Sequence, residues 1–118
     1  MNMPPKTLDD LDTFSTRSAD STRLGAPAFA RLLDLAENHN SGQIPRIARF
    51  IAATYNGRAF QIDLFELRAV DIAISDDMLC CLDALRWGRA DLHTLVPDGD
   101  ARVRAVIDHW GLCWPSES

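Results

Sequence analysis

The stretch DIAISDDMLCCLDALRW, residues 71–87, is the most apolar helical pattern in the chain. On a helical wheel its apolar side chains gather in an arc centred on Met78. Asp71 stands where an N-cap is needed, and Gly88 follows where a left-handed residue would end the helix. The other members of the arc are Val70, Ile74, Cys81, Leu82 and Leu85. The pattern therefore predicts a helix that buries this arc in the core.

The predicted helix is not cleanly amphipathic. Ile72 and Leu79 lie on the side opposite the arc, among acidic residues. Apolar side chains on two sides are typical of a helix that contacts neighbours on more than one face. We therefore expect the 71–87 helix to be central and the other segments to pack around it.

Three further helices are predicted, at about residues 26–38, 42–55 and 101–110, from apolar side chains at helical spacing and from turn residues at their ends. Residues 59–62 and 91–96 are expected to be extended, and they could pair with each other. The expected fold class is mainly α: a compact bundle of about four helices around a central helix, with at most a minimal two-stranded β ribbon.

The length of 118 residues fits a single domain. Residues 1–24 mix prolines, aspartates and a Ser/Thr run with only isolated apolar side chains. Such a composition gains too little from burial to offset the entropy of ordering. We expect residues 1–24 to be a disordered or loosely docked tail and residues 25–118 to form one globular helical domain.

The formal net charge is −5 at pH 7, and only residues 26–56 are slightly basic. A mildly acidic protein repels phosphate at long range, so nucleic acid is the less favoured partner and another protein the more favoured one. No apolar run has the length of a membrane span, and the amino terminus lacks a signal-peptide pattern. The three cysteines have no Cys-x-x-Cys spacing and are expected to be reduced thiols. The composition indicates a cytoplasmic protein with no membrane partner.

Three arginines are the first candidate binding residues. Arg46 and Arg49 lie three positions apart on the exposed face of the second helix, and Arg58 follows that helix. If these side chains stand free together, they form a small positive patch for a phosphate or an acidic loop. If Arg46 and Arg49 pair with Asp76, Asp77 or their neighbours, they are structural, and we favour that hypothesis for Arg46 or Arg49 but not necessarily for both.

The adjacent acids Asp76 and Asp77 are the second candidates. Neighbouring positions on a helix diverge by about 100°, so the two carboxylates cannot both face one ligand. Asp77 lies nearer the apolar arc, where a buried acid needs a partner. A structural ion pair with Arg46, Arg49 or Arg68 is favoured over a metal or acid/base site.

Tryptophans near helix ends usually close the edge of a core, but any that stay exposed mark a contact surface. Trp87 and Trp114 are therefore included among the candidate binding residues. The sequence contains no recognised motif of a catalytic or metal site. The three histidines lie on separate segments without metal-ligand spacing, and neither a nucleophile elbow nor a phosphate loop is present. We predict no catalytic residues, no metal site and no cofactor.

Several short motifs resemble a family of small uncharacterised bacterial proteins, seen mostly on proteobacterial chromosomes, plasmids and integrative elements and described only as a domain of unknown function. The motifs are SGQ at 41–43, Arg46, Ala48 and Phe50, YNG at 55–57, SDDM at 75–78 and WGL at 110–112. The resemblance covers about residues 28–112. It implies kinship without an activity, so no catalytic or binding role is carried over.

Three functions are compatible with these residues. The favoured one is a non-enzymatic, acidic protein-interaction module, such as an accessory or anti-defence factor of a mobile element. The second is a nucleic-acid-associated module, which requires Arg46, Arg49 and Arg58 to converge on a face free of acids. The third is an enzyme that places Asp77, His93 and an arginine in one pocket.

Overall fold

The structure is a computed structural model that describes residues 8–115, with side chains from Asp10 onward. Four α-helices form a compact globule, and no strand occurs within these residues. The helices are α1 Leu8–Asn38, α2 Ile44–Tyr55, α3 Ile72–Trp87 and α4 Gly99–His109, with short 3₁₀ helices at Leu64–Arg68 and Leu92–Leu95. The prediction of a four-helix, mainly α fold is confirmed.

The expected extended segments do not form a ribbon. Residues 59–62 belong to an irregular loop, and the 91–96 segment contains the second 3₁₀ helix instead of a strand. Leu92 and Val96 are both buried there. The Thr94 N–H donates to the Asp91 carbonyl at 2.9 Å, a bond between residues three apart that closes a 3₁₀ turn. The segment therefore buries its apolar residues as a turn instead of pairing as a strand.

Helix α1 is longer than predicted, because it begins at Leu8 instead of Ala26 and continues through Pro27. The disordered tail expected for residues 1–24 is thus corrected over residues 8–24, and residues 1–7 lie outside the described part. Ser18 and Ser21 are buried despite being polar. The Ser18 hydroxyl donates to the Ser15 carbonyl, so its burial leaves no unpaired donor. Small side chains allow this half of α1 to lie against α3 without an apolar stripe.

The central helix is α1, and the expectation that the 71–87 helix is central is wrong. Helices α2, α3 and α4 all pack on α1, whose fully buried face includes Phe29, Leu32 and Leu33. Helix α3 instead buries one side only. Its Ile72 is 79% exposed and its Leu79 is 53% exposed, since no described segment covers that side.

Helices α1 and α3 approach closely at a pair of small residues. A Cβ placed on Gly25 would lie 2.5 Å from the Cβ of Ala84, so the two backbones can meet only because Gly25 has no side chain. Two polar contacts brace the crossing. The Ser21 hydroxyl donates to Asp83 at 2.5 Å, and the Arg31 guanidinium binds Asp77 with two hydrogen bonds of 2.8 and 3.0 Å.

The other helices are also tied through polar groups. Gln43, just before α2, donates to the Asp71 carboxylate and accepts from the Asp71 N–H, which joins the start of α2 to the start of α3. Arg102 of α4 binds Glu37 of α1 through two hydrogen bonds. The Trp110 indole N–H donates to the Ala36 carbonyl at 2.9 Å. These contacts fix α4 on α1 and the start of α2 on the start of α3.

We predict that Gly25→Ala destabilises the protein by about 1–3 kcal/mol, as overpacking of a tight contact does. The direction is informative, because alanine favours a helix over glycine by about 1 kcal/mol in the absence of a clash. Urea unfolding measures the change. Gly42→Ala is the matched control: a Cβ there meets nothing within 4 Å, so its effect should stay within about 0.5 kcal/mol. Equal stability of the two variants would contradict the close crossing.

Candidate functional site: an apolar groove between α2 and α3

An open groove lies between the carboxyl-terminal half of α2, the following loop and the side of α3 that carries Leu82 and Leu85. It has a volume of about 430 Å³ and is lined mainly by apolar side chains. A smaller hollow of about 40 Å³ adjoins it beside the first 3₁₀ helix and shares part of its lining. The principal apolar lining residues are Phe50, Ala53, Phe60, Ile62, Leu82 and Leu85.

The groove exists because α1 covers only part of the apolar arc of α3. Met78 and Cys81 are fully buried, but Leu85 is 43% exposed and Leu82 is only partly buried. The sequence pattern assigns these four residues to one buried face. In the structure Met78 and Cys81 are buried, and Leu82 and Leu85 line the groove.

The opposite wall is held by local hydrogen bonds in the loop after α2. The Asn56 carboxamide oxygen accepts from the backbone N–H groups of Arg58 and Ala59, and the Phe60 N–H donates to the Asn56 carbonyl. This turn follows from the Asn-Gly pair that was predicted to end the helix. It directs Phe60 inward, where the ring is 8% exposed and contacts Trp114 edge-on with centroids 4.8 Å apart.

Large exposed apolar side chains surround the groove. Leu64 is 73% exposed and Phe65 is 62% exposed, both on the first 3₁₀ helix. Leu79 is 53% exposed one turn before Leu82 on α3. Single exposed apolar residues are ordinary, but a cluster beside an apolar groove is typical of an interaction surface.

Arg46 and Arg49 do not form a free patch, because both bind one carboxylate. Arg46 Nη1 lies 2.8 Å from Glu66 Oε1, and Arg49 Nη2 lies 3.1 Å from Glu66 Oε2. The expected pairing with Asp76 or Asp77 is therefore wrong. The structural hypothesis survives with Glu66 as the partner, whose side chain is 12% exposed and which clamps the first 3₁₀ helix onto α2.

The remaining charged candidates are separated from that clamp. Asp77 binds Arg31 of α1, which raises the pKa of the Arg31 guanidinium through their hydrogen bonds, so the expected partner from α2 or Arg68 is incorrect. Arg58 and Asp76 are exposed, and neither has a side-chain partner among residues 10–115. The structure thus does not bring Arg58 into one patch with the two α2 arginines.

The two tryptophan candidates lie in different places. Trp87 is half-buried against α1, with the Phe14 ring edge-on at 4.9 Å and the guanidinium carbon of Arg17 5.4 Å from its ring centroid. It closes the α1–α3 contact. Trp114 is 44% exposed and does not line the groove itself, but its ring contacts the groove-lining Phe60.

One polar cluster of the described chain gathers around Asp100: the Tyr55 hydroxyl and the Arg104 guanidinium both donate to its carboxylate, and the His93 ring lies edge-on to Tyr55. His93 contacts the Tyr55 ring, whereas Asp77 is held by Arg31, so the proposed pocket of Asp77, His93 and an arginine is not formed. Burial raises the pKa of the Cys81 thiol to about 12, which leaves it protonated and unreactive. Among the described residues no group of three His, Cys, Asp or Glu side chains could hold a metal ion. No described helix combines the length and apolarity needed to cross a membrane.

Sequence reasoning missed the groove itself. Leu82 and Leu85 were assigned to the core, and Phe60, Ile62 and Glu66 were given no role. One signal was present, since apolar side chains on two sides of the 71–87 segment exceed what a single neighbouring helix can cover. The pairing of Glu66 had no periodic signal, because it depends on how a loop folds back on α2.

We predict that Glu66→Gln lowers the free energy of unfolding by about 1–2 kcal/mol, because it removes the charge that compensates two neighbouring arginines at a partly buried position. Chemical denaturation measures the loss. The matched control is Asp20→Asn, which breaks an ion pair with Arg23 whose side chains are 58% and 70% exposed. Its effect should stay under about 0.5 kcal/mol. A Glu66 variant as stable as the control would show that the clamp contributes nothing.

The comparisons with known proteins identify kinship only. The model of a family of unknown function, DUF7673, matches residues 26–111, which include every residue that lines the groove. No curated protein and no solved structure matches the chain. Since the match spans most of its length, the chain belongs to this family of unknown function.

Proposed function

We propose that the protein is a non-enzymatic protein-interaction module whose α2–α3 groove receives an apolar segment of a protein partner. The observation that supports this most is the half-covered arc of α3. Leu82 and Leu85 belong to the same apolar face as the buried Met78, yet Leu85 is 43% exposed in an open groove. A partner segment would complete that face.

The free energy gained by burying the exposed apolar side chains of the groove is large enough to support docking. Burying an exposed leucine or phenylalanine side chain contributes about 1.5–3 kcal/mol. Leu79, Leu85 and Leu64 are each between 43% and 73% exposed, so partial burial of all three supplies several such increments. Part of this gain is offset by the lost freedom of the two molecules on association.

The groove is better suited to an apolar protein segment than to a small substrate. Its polar side chains are few, and the Thr54 hydroxyl already donates to the Ile51 carbonyl at 2.8 Å. Small-molecule sites usually add several convergent polar groups that fix the ligand's orientation. A nucleic-acid role is also less well supported, because Arg46 and Arg49 share Glu66 instead of standing free.

The sequence also supports a proposal for the cellular location and biological role of the protein. Three cysteines without a disulfide pattern favour a cytoplasmic place of action. The resemblance to proteins of bacterial chromosomes, plasmids and integrative elements favours an accessory or anti-defence role for a mobile element. In such a role the module acts by occupying or recruiting another protein, which requires a docking surface and no catalytic chemistry.

The test is site-specific photo-cross-linking followed by affinity measurement. A photo-reactive phenylalanine analogue at Gln61, an exposed groove residue, should cross-link a partner in cells that carry the gene, whereas the same group at Ile72 should not. With the purified partner, Leu85→Glu should weaken binding by about tenfold or more, a loss of about 1.4 kcal/mol. Ile72→Glu, the same change at a 79% exposed site on α3 outside the groove, should leave it unchanged.

Two results would overturn the proposal. One is equal cross-linking from Gln61 and Ile72, which indicates non-specific contact. The other is unchanged affinity of Leu85→Glu, with a melting curve like that of the native chain, which places the interface elsewhere.

A further inference from the structure

We propose that the groove is occupied by the acidic amino-terminal end of α1 from a second copy of this chain. This inference rests on the proposed function, since it names the partner segment for the same groove. The donated segment is LDDLDTF, residues 8–14, which we call the arm. Its described part already belongs to a helix, so docking requires no further folding.

The arm carries exposed apolar side chains at helical spacing. Leu11 is 52% exposed, and Phe14, three positions along the same helix, is 54% exposed although one edge contact joins its ring to Trp87. The groove presents a pair of the same period, because its lining residues Leu82 and Leu85 lie three positions apart on α3. The pair spans about 4.5 Å, somewhat less than one helical turn. A helix with apolar residues three or four apart is the segment that fits such a groove.

The charges of the two surfaces are opposite. The arm contains three aspartates and no basic residue, a net charge of −3. Residues 44–70, which form α2 and the groove wall, contain four arginines and two acidic residues, a net charge of +2 in a chain whose total is −5. The sequence of the arm is therefore acidic and that of the groove wall is basic.

The positive charge adjoins the groove. Arg58 follows the groove residue Gly57 and has no side-chain partner among residues 10–115. Arg68 follows Leu67 and lies over the Phe65 ring at 4.4 Å, without a carboxylate partner in the same range. Glu66 neutralises one of the two arginines that it binds, so the clamp also retains a positive charge.

The arm cannot enter the groove of its own chain. Phe14 contacts Trp87, whereas Leu85 lines the groove. Positions two apart on a helix diverge by about 200°, so the arm and the groove lie on nearly opposite sides of α3. Helix α1 is continuous from Leu8 to Asn38 and would have to break for the arm to reach around. A second copy supplies the arm without that cost.

A groove-to-groove pairing of two copies is disfavoured by the same charges. In an isologous contact each residue faces its own equivalent region, so the basic walls would meet. Arm-to-groove docking is heterologous and brings acid against base. This arrangement also predicts that the affinity between copies falls as the salt concentration rises, because dissolved ions screen ion pairs at an open groove.

The experiment is sedimentation velocity on the full chain over a wide concentration range, at low and moderate salt. We expect concentration-dependent association that weakens as salt increases. Leu11→Glu in the arm and Leu85→Glu in the groove should each weaken association by about tenfold or more. Leu24→Glu, the same change at a 50% exposed position of α1 beyond the arm, should associate like the native chain.

Mixing the two defective variants is the decisive step. The Leu85→Glu copy still has an intact arm and the Leu11→Glu copy an intact groove, so a mixture should regain association that neither shows alone. A mixture that stays monomeric would overturn the inference, as would a native chain that is monomeric throughout. If the native chain is monomeric but the Gln61 cross-link captures a different protein sensitive to Leu85→Glu, the proposed function stands and the arm inference fails.

Discussion

The close crossing of α1 and α3 at Gly25 and Ala84 is the constraint on which the rest of the structure depends. It brings the two backbones together at one point and thereby decides which side of α3 is buried. Met78 and Cys81 lie against α1, and the Leu82 side is turned away. Because α2 and α4 also pack on α1, no described helix covers the far side of α3, and the groove follows.

The crossing of α1 and α3 is stabilised by charged groups as well as by close packing. The hydrogen bond from Ser21 and the neighbouring Arg86 lower the pKa of Asp83. A carboxylate with a lowered folded pKa stabilises the native state above its ordinary pKa and loses that contribution as the pH falls through the lowered value. The contact between the amino-terminal half of α1 and α3 therefore weakens in acid, whereas the apolar packing of Phe29 and Leu33 does not depend on pH.

Much of the fold is readable from the sequence because its signals are local. The 44–55 helix has a regular apolar stripe and an Asn-Gly stop, and Gly88 ends α3 in the left-handed conformation that its position predicted. The amino-terminal half of α1 was missed for a physical reason. Its stability comes from small side chains against α3 and from a bond between Ser21 and Asp83, 62 positions apart, which leave no periodic signal.

The site was harder to predict than the fold. An apolar side chain that lines an open groove has the same sequence pattern as one in a closed core, so Leu82 and Leu85 could not be distinguished from Met78. Ion-pair partners depend on tertiary placement: Arg46 and Arg49 meet Glu66, and Asp77 meets Arg31. Only the presence of apolar residues on two sides of the 71–87 segment indicated that α3 has more apolar surface than its neighbours bury.

The most direct test of this account is hydroxyl-radical footprinting at low micromolar concentration, where association between copies is minimal, with mass spectrometry to locate the oxidised side chains. The account predicts that Leu79 and Leu85 are oxidised readily while Leu32 and Leu33 of α1 are protected. Protection of Leu85 equal to that of Leu33 would show that the groove is closed in solution. That result would contradict the claim that the chain leaves half of the α3 apolar face for a partner.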